Sequence, residues 1–166
     1  MGKLFDTTAL SPWACAIVCM DGRAREPIVE EAKRRYGVLG VDTPTLAGPE
    51  DALAKIDGKV LDAMKFRVGV SMVGHKSKLL IVGGHSNCGG FSGDAAAHIE
   101  GLKKGMEIVR KWKYPDHEFK IVGMLAEAPA NHPNGYVSAV LEFDPATEEI
   151  VQRKINEVGN LEPTKQ

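Results

Sequence analysis

The chain has 166 residues, a length typical of a single domain that can bury a core of its own. Hydrophobic residues make up 43% and charged residues 26% of the chain, which excludes a disordered protein, a collagen and a coiled coil. The 21 basic and 22 acidic residues leave a net charge of -1, so no excess of charge favours binding to nucleic acid or to an anionic membrane.

The first part of the chain predicts strands and helices in alternation. The apolar run Trp13–Met20 is typical of a buried strand. Apolar residues at helical spacing then predict a helix that begins at Pro27. The ambiguous segment 38–46 is interpreted as a short strand. A second helical pattern begins near Pro49 and has a candidate break at Gly58.

The second part of the chain continues this alternation. Lys78–Gly83 is the clearest strand of the sequence, and a helix is expected from about Asp94. Phe119–Leu125 predicts a further strand. After a turn cluster at 131–135, the alternating segment Tyr136–Phe143 predicts a strand with one wetter face.

No segment of the sequence predicts a membrane span or secretion. The longest apolar stretches, 14–20 and 79–82, are much shorter than the roughly 20 residues that cross a bilayer. Asp6 stands where a signal peptide would have its apolar core. We therefore expect a cytoplasmic protein that forms one domain over residues 1–166, with a loose tail from about residue 153.

Strands that alternate with helices predict an α/β fold with a mainly parallel central sheet. The ligands of such sheets collect at the carboxyl ends of the strands. Two loops rich in reactive side chains follow Met20 and Gly83, and both lie at predicted strand ends. The functional site is therefore expected where these two loops meet.

The two loops contain three side chains that zinc prefers as ligands. Cys19 stands near the end of the first strand, and His85 and Cys88 lie three positions apart in the second loop. Two thiolates and one imidazole leave one position of a tetrahedral zinc ion for water or substrate, as in catalytic zinc sites. Cys15 is not expected to join them, because it lies about 13 Å back along the strand.

Asp21 and Arg23 follow Cys19 at alternate positions, which would place all three on one side of an extended chain. Arg23 can hold the Asp21 carboxylate bidentately, keep it ionised and draw it away from the metal; alternatively, Asp21 could bind zinc itself. Zinc lowers the pKa of a bound water from about 15.7 to about 7, so hydroxide would be available to attack a small electrophile. Asp21 would accept a hydrogen bond from this zinc-bound hydroxide and orient its lone pair.

The two motifs resemble those of the β-class carbonic anhydrases. That family pairs Cys-x-Asp-x-Arg with His-x-x-Cys, which read Cys19-Met20-Asp21-Gly22-Arg23 and His85-Ser86-Asn87-Cys88 in this chain. The resemblance implies that Cys19, His85 and Cys88 bind Zn2+ and that Asp21 and Arg23 form the catalytic dyad. The implied reaction is the reversible hydration of carbon dioxide, a small-molecule substrate, to bicarbonate.

The resemblance also implies an architecture and an assembly. The implied fold is a parallel sheet of about four strands with an antiparallel edge strand and helices on both faces, and the implied assembly is a homodimer or a higher homo-oligomer. Ala47 and Gly48 match the second half of an Arg-Asn-Ala-Gly motif present in many members, and with Gly89 they are implied to line the substrate pocket. Because Thr45-Leu46 replaces the first half, the chain is interpreted as a compact, divergent member.

Two other functions are compatible with the same residues. A hydrolase of COS or CS2 would use the same zinc ion and the same attack on a linear, cumulated carbon. A non-catalytic zinc-binding module would need the three ligands alone, so the presence of Asp21 and Arg23 argues against it. Of the other histidines, His98 is expected on a helix surface, with a role in relaying protons as the alternative, and solvent exposure is expected for His75, His117 and His132.

Overall fold

The structure, a computed structural model, describes residues 12–115, 117–130, 135–144 and 146–155. Within these ranges, six strands form one sheet in the order β2-β1-β3-β4-β5-β6. In chain order these are β1 (Trp13–Ile17), β2 (Gly40–Asp42), β3 (Leu79–His85), β4 (Lys120–Glu127), β5 (Tyr136–Phe143) and β6 (Ile150–Lys154). The first four strands pair in parallel, whereas β5 and β6 pair antiparallel. The predicted α/β fold with a mainly parallel sheet is therefore confirmed.

In the part of the chain that the structure describes, four α-helices cover both faces of this sheet. They are α1 (Gly22–Tyr36), α2 (Pro49–Lys55), α3 (Gly58–Gly69), which continues into one π-helical turn at Val70–Gly74, and α4 (Ala95–Arg110). Ala24, Ile28 and Ala32 of α1 are buried on one face of the sheet. The other three helices pack on the opposite face, where Leu53 and Met106 are fully buried. Burial of each such large side chain stabilises the fold by about 1.5–3 kcal/mol.

The sheet differs from the expectation in its antiparallel edge. Two antiparallel strands follow the four parallel ones, and the second of them, β6, is not predicted from the sequence. β6 includes Arg153 and Lys154, where the expected loose tail would begin, and Ile155 donates its N–H to the carbonyl of Ser138. The rest of that expected tail, 156–166, lies outside the described residues.

Helix α1 begins at Gly22, so the prediction that it begins at Pro27 is wrong. Asp21 caps the helix, because its side chain accepts a hydrogen bond of 3.0 Å from the N–H of Arg23. Pro27 lies inside the helix, in its second turn, and has no N–H to donate to the carbonyl four residues earlier. The chain turns into the helix at Asp21, and the expected extension through Arg23 does not occur.

The register of the parallel strands brings the two motif loops together. Ile17, the last residue of β1, is paired with Val82 of β3, so Cys19 follows two residues later beside the end of β3. His85 is the final residue of β3.

The helix break predicted at Gly58 is confirmed by the boundary between α2 and α3. Within the described ranges, no helix is both long enough and apolar enough to span a bilayer.

Candidate metal centre

Cys19, His85 and Cys88 form a buried cluster at the carboxyl ends of β1 and β3. Their ligand atoms all lie within 4.8 Å of one another, and the side chains are 6%, 1% and 7% exposed. The two sulfur atoms are 4.0 Å apart. Two thiolates bound at about 2.3 Å to one tetrahedral ion would be separated by about 3.8 Å, so the spacing fits a shared metal ion.

The ring of His85 is oriented for metal binding through one nitrogen. Its Nδ1 lies 2.8 Å from the carbonyl oxygen of Ser86 and donates a hydrogen bond to it. The lone pair is then on Nε2, which is buried and has no hydrogen-bond partner in the protein. Metal-binding histidines are held in this way, with the second ring nitrogen on a backbone carbonyl. The unpartnered Nε2 together with two thiols is a donor set that zinc favours.

The loop that carries His85 and Cys88 is fixed to the end of β4. Ser86 donates its N–H to the carbonyl of Ala126, and its hydroxyl accepts the N–H of Ala128 at 3.0 Å. Asn87 adopts a left-handed conformation with φ of 55° and donates from its side chain to the carbonyl of Ala128 at 2.8 Å. These bonds hold the backbone before Cys88 in place without a metal ion.

Burial also affects the protonation of the Cys88 thiol. Desolvation raises the pKa of Cys88, and the neighbouring sulfur of Cys19 acts in the same direction. A metal ion that binds here must displace the thiol protons, so its affinity falls as the pH falls.

Asp21 and Arg23 form a closely matched pair beside this cluster. Arg23 Nε lies 3.1 and 3.2 Å from the two carboxylate oxygens of Asp21, and Nη2 donates to Oδ2 at 2.6 Å. The side-chain hydrogen bonds from Arg23 lower the pKa of Asp21, which keeps the carboxylate ionised. Arg23 Nη1 also donates to the carbonyl of Pro129 at 3.3 Å. Asp21 is not in the three-residue cluster that could hold a metal ion.

Of the three predicted pocket residues, Ala47 and Gly48 have a closely packed backbone, whereas Gly89 is exposed. Gly48 has a φ of +56°, and the backbone at Ala47 and Gly48 packs against that of Gly90 so closely that a side chain on Gly90 would lie 2.7 Å from the Ala47 backbone. The structure therefore brings Ala47 and Gly48 against Gly90, which stands two residues after Cys88. The loop 85–88 carries two of the three candidate metal ligands and is called the metal loop below. Gly89 is exposed, with no atom within 4 Å of an added Cβ. Their role in binding substrate stays a prediction.

The prediction that His98 lies on a helix surface is wrong. His98 is 1% exposed and its Nδ1 lies 2.7 Å from Oε1 of Glu50, which is fully buried. The sequence contains a sign of this burial, because His98 stands four residues before Leu102 and so lies on the same, buried side of α4. Glu50 follows Pro49 in the first turn of α2, where a carboxylate is expected in solvent, so the sequence gives no sign of its burial.

His75 and His117 are also less solvated than expected. His75 is 28% exposed and its Nδ1 lies 2.6 Å from a carboxylate oxygen of Asp42. His117 is partly buried, and its Nε2 bonds to the carbonyl of Ser77. His132 lies outside the described residues. Neither His75 nor His117 belongs to the group formed by Cys19, His85 and Cys88.

The solved structures that are similar to this chain include β-carbonic anhydrases and a carbon disulfide hydrolase. A β-carbonic anhydrase of Trichomonas vaginalis is 15% identical, with 75% of this chain and 80% of that chain covered and a TM-score of 0.48. A tetrameric β-carbonic anhydrase of the ascomycete Sordaria macrospora is 13% identical, with coverages of 76% and 80% and a TM-score of 0.48. A carbon disulfide hydrolase is 16% identical, with coverages of 69% and 73% and a TM-score of 0.45.

The family itself is identified from the sequence. No curated protein matches the chain. A family model described as "Putative carbonic anhydrase" matches residues 10–132, which is well over half of the chain and includes both motifs. The chain therefore belongs to this carbonic anhydrase family, as its two motifs predict.

Proposed function

We propose that this protein is a zinc enzyme that catalyses the reversible hydration of carbon dioxide to bicarbonate. The observation that carries the proposal is the convergence of the Cys19, His85 and Cys88 ligand atoms within 4.8 Å, next to an aspartate held by an arginine. Membership of a carbonic anhydrase family supports the same reaction. A purely structural zinc site would need neither Asp21 nor Arg23.

The three ligand residues would hold the ion and leave its fourth position open. Bound zinc lowers the pKa of a water ligand from about 15.7 to about 7 and so supplies a nucleophile at neutral pH. Cys19 and Cys88 would bind through sulfur and His85 through Nε2, the atom that lacks a protein partner. The bond from His85 Nδ1 to the Ser86 carbonyl keeps the ring in the tautomer that this requires.

Asp21 would orient the attacking water. Each carboxylate oxygen has two lone pairs, so Asp21 can accept a hydrogen bond from the water while both of its oxygens accept from Arg23. A water held in this way would present a lone pair to the carbon of carbon dioxide. Arg23 acts through Asp21: it keeps the carboxylate ionised and away from the metal position.

We also propose that the chain forms a homo-oligomer. Phe66 and Val70 lie one turn apart at the end of α3, and with Val73 they expose large apolar surfaces, at 73%, 54% and 56%. A contiguous apolar surface of this kind is typical of a protein–protein contact. A second copy of the chain is the partner that the resemblance to the β-class implies.

Metal analysis and stopped-flow kinetics on one preparation test the enzymatic proposal. We expect close to one zinc ion per chain and rapid hydration of carbon dioxide. Cys88→Ser should lose both the metal and the activity, whereas the control Cys15→Ala should keep both, because Cys15 is buried in β1 outside the cluster. A folded wild-type protein without bound metal would overturn the proposal.

The same preparation distinguishes the other substrates. Hydrolysis of COS or CS2 in the absence of carbon dioxide hydration would assign the zinc site to that reaction instead. Bound zinc with no turnover of any of the three would indicate a non-catalytic module and would contradict the roles of Asp21 and Arg23.

A further inference from the structure

We propose that Glu50 is a positioning residue for the metal centre and that His98 holds it in place. This inference rests on the proposed zinc site. Glu50 is fully buried and His98 is 1% exposed, and a hydrogen bond of 2.7 Å joins His98 Nδ1 to Glu50 Oε1. A buried carboxylate is costly to fold around unless its interactions are worth the desolvation, so its position calls for a physical reason.

The first contact of Glu50 is with the backbone of a proposed metal ligand. Glu50 Oε1 accepts the N–H of His85 at 3.4 Å. Ser86 donates its N–H to Ala126 on the β4 side, so the N–H of His85 is directed to the opposite side of β3. There β1 has already ended, since its last pair with β3 is Ile17 with Val82. Glu50 therefore supplies the acceptor that a neighbouring strand would otherwise provide.

The second contact reaches the other end of the metal loop. The ring of His98 packs edge-on against Phe91, with 4.9 Å between the ring centroids. Phe91 forms a β-bridge with Cys88. The pair from α2 and α4 thus contacts the metal loop on both sides, near His85 and near Cys88.

Two glycines make room for Glu50. A Cβ on Gly84 of β3 would lie 2.9 Å from the Glu50 carboxylate. A Cβ on Gly101 of α4 would lie 3.1 Å from the backbone carbonyl oxygen of Glu50. Both distances are shorter than ordinary van der Waals contact, so any larger residue at either position would displace Glu50. The side chain is therefore held by its packing as well as by its hydrogen bonds.

The pair is poorly suited to a purely structural role. Glu50 Oε2 and His98 Nε2 are both buried and have no hydrogen-bond partner in the protein. A buried polar atom without a partner destabilises the folded state, so two apolar residues of similar volume would stabilise the core more. This cost is understandable if the pair is retained for what it does to the metal loop.

Zinc affinity of purified protein, measured by competition with a chelator, tests the inference. Glu50→Ala removes the acceptor for the His85 N–H and should weaken zinc binding by about 10- to 100-fold, the usual effect of losing an outer contact of a metal ligand. Glu50→Gln retains an oxygen acceptor of the same shape and should stay within about threefold of wild type. The zinc affinity of His98→Ala should lie between those of Glu50→Ala and Glu50→Gln, because this variant removes the hydrogen bond that holds the Glu50 carboxylate in place.

A destabilised control separates positioning from general loss of stability. Met64→Ala removes a buried side chain of α3 and should lower the melting temperature of the metal-free protein without changing zinc affinity. In the Co2+-loaded proteins, the visible absorption band should change in Glu50→Ala and not in Met64→Ala.

The possible results divide clearly. Wild-type zinc affinity in folded Glu50→Ala would overturn the inference and leave the proposed function intact. If Glu50→Ala does not fold, unchanged zinc affinity in His98→Ala would overturn the inference equally. A loss of zinc affinity of about 10- to 100-fold in Glu50→Gln, as large as that expected for Glu50→Ala, would refute an effect through the hydrogen-bond acceptor. Absence of zinc binding in the wild type would refute the proposed function itself.

Discussion

The N–H of Gly135 donates a hydrogen bond of 3.1 Å to the carbonyl of Arg23, in the first turn of α1. In a regular helix this carbonyl would accept from the residue four positions later, but that residue is Pro27, which has no N–H. The proline thus leaves the carbonyl available to the segment before β5. Because Arg23 Nη1 also donates to Pro129, both the backbone and the side chain of Arg23 are fixed to the β4–β5 connection.

Gly135→Ala should disturb this connection. A Cβ at this position would overlap with the carbonyl oxygens of Arg23 and Glu127, and neither backbone segment can move freely. We expect the free energy of unfolding to fall by about 1–3 kcal/mol, the usual cost of an added methyl group in a packed site. Carbon dioxide hydration per bound zinc should fall as well, because Arg23 shifts relative to Asp21.

Gly58→Ala is the matched control for this substitution. Gly58 is the first residue of α3, and an added Cβ would meet no atom within 4 Å. Denaturant unfolding and stopped-flow assays of the two variants should therefore differ. Wild-type stability in Gly135→Ala would show that the two chain segments are not tightly held together.

Substitution of Arg23 tests the proposed role of the dyad. Arg23→Ala should retain zinc, because the side chain of Arg23 bonds to Asp21 and to the carbonyl of Pro129, but it should lose carbon dioxide hydration at neutral pH. Arg23→Lys should restore little activity, since one ammonium group cannot reproduce the paired contacts of the guanidinium with Asp21. Metal analysis and stopped-flow hydration give the two readouts separately.

Arg25 provides a control for the loss of one positive charge near the site. Its closest ion-pair contact is with exposed Glu26 at 3.7 Å. Arg25→Ala should keep both the metal and the activity. Equal activity in Arg23→Ala and wild type would contradict the proposed dyad.

The sequence identifies the proposed ligands because metal chemistry restricts residue type and because the strand pattern restricts position. An apolar run leads into each motif, so the pattern of residues alone is enough to place Cys19 and His85 at strand ends. The alternating pattern of 136–143 also predicts β5 with its observed bounds. These features depend on local sequence, which is why the strand ends and the bounds of β5 are predicted correctly.

The features that the sequence misses depend on contacts between distant segments. Glu50 is buried only because His98, 48 residues away, bonds to it and because two glycines leave space for it. The start of α1 is missed because Asp21 has two roles, as helix cap and as partner of the Arg23 side chain. β6 is missed because the mixed sequence IVQRK forms an edge strand only through its pairing with β5.

Phe66→Glu tests the proposed oligomer surface. Phe66 is 73% exposed, so a charge at this position should leave the fold of the single chain intact. It should shift the mass measured by light scattering from that of an oligomer to that of one chain. Leu39→Glu, a change at a similarly exposed residue between α1 and β2, is the control and should leave the mass unchanged. An unchanged mass for Phe66→Glu would exclude this surface.

Glu142 joins three elements near the opposite, amino-terminal end of β4. Its Oε1 accepts from Lys120 Nζ of β4 at 2.7 Å and from the hydroxyl of Tyr36 at the end of α1 at 2.9 Å. Burial alone would raise the pKa of Glu142, but the hydrogen bonds from Lys120 and Tyr36 outweigh it, so the pKa is lowered overall. The folded state therefore favours the ionised carboxylate.

A lowered pKa in the folded state gives a definite pH dependence. The stability contributed by Glu142 should be fully present above the pKa of an unfolded-state glutamate, about 4.3, and should be lost as the pH falls through the lower, folded-state value. Glu142→Gln removes this contribution, so its melting temperature should lie below that of the wild type near pH 7. The gap between the two should then narrow as the pH falls below about 4.3. Glu107→Gln, a change at an exposed residue 4.0 Å from Arg110, is the control and should have a melting temperature close to that of the wild type near pH 7, because exposed ion pairs contribute little to stability. A gap for Glu142→Gln that stays constant into acid would contradict the proposed role of Glu142.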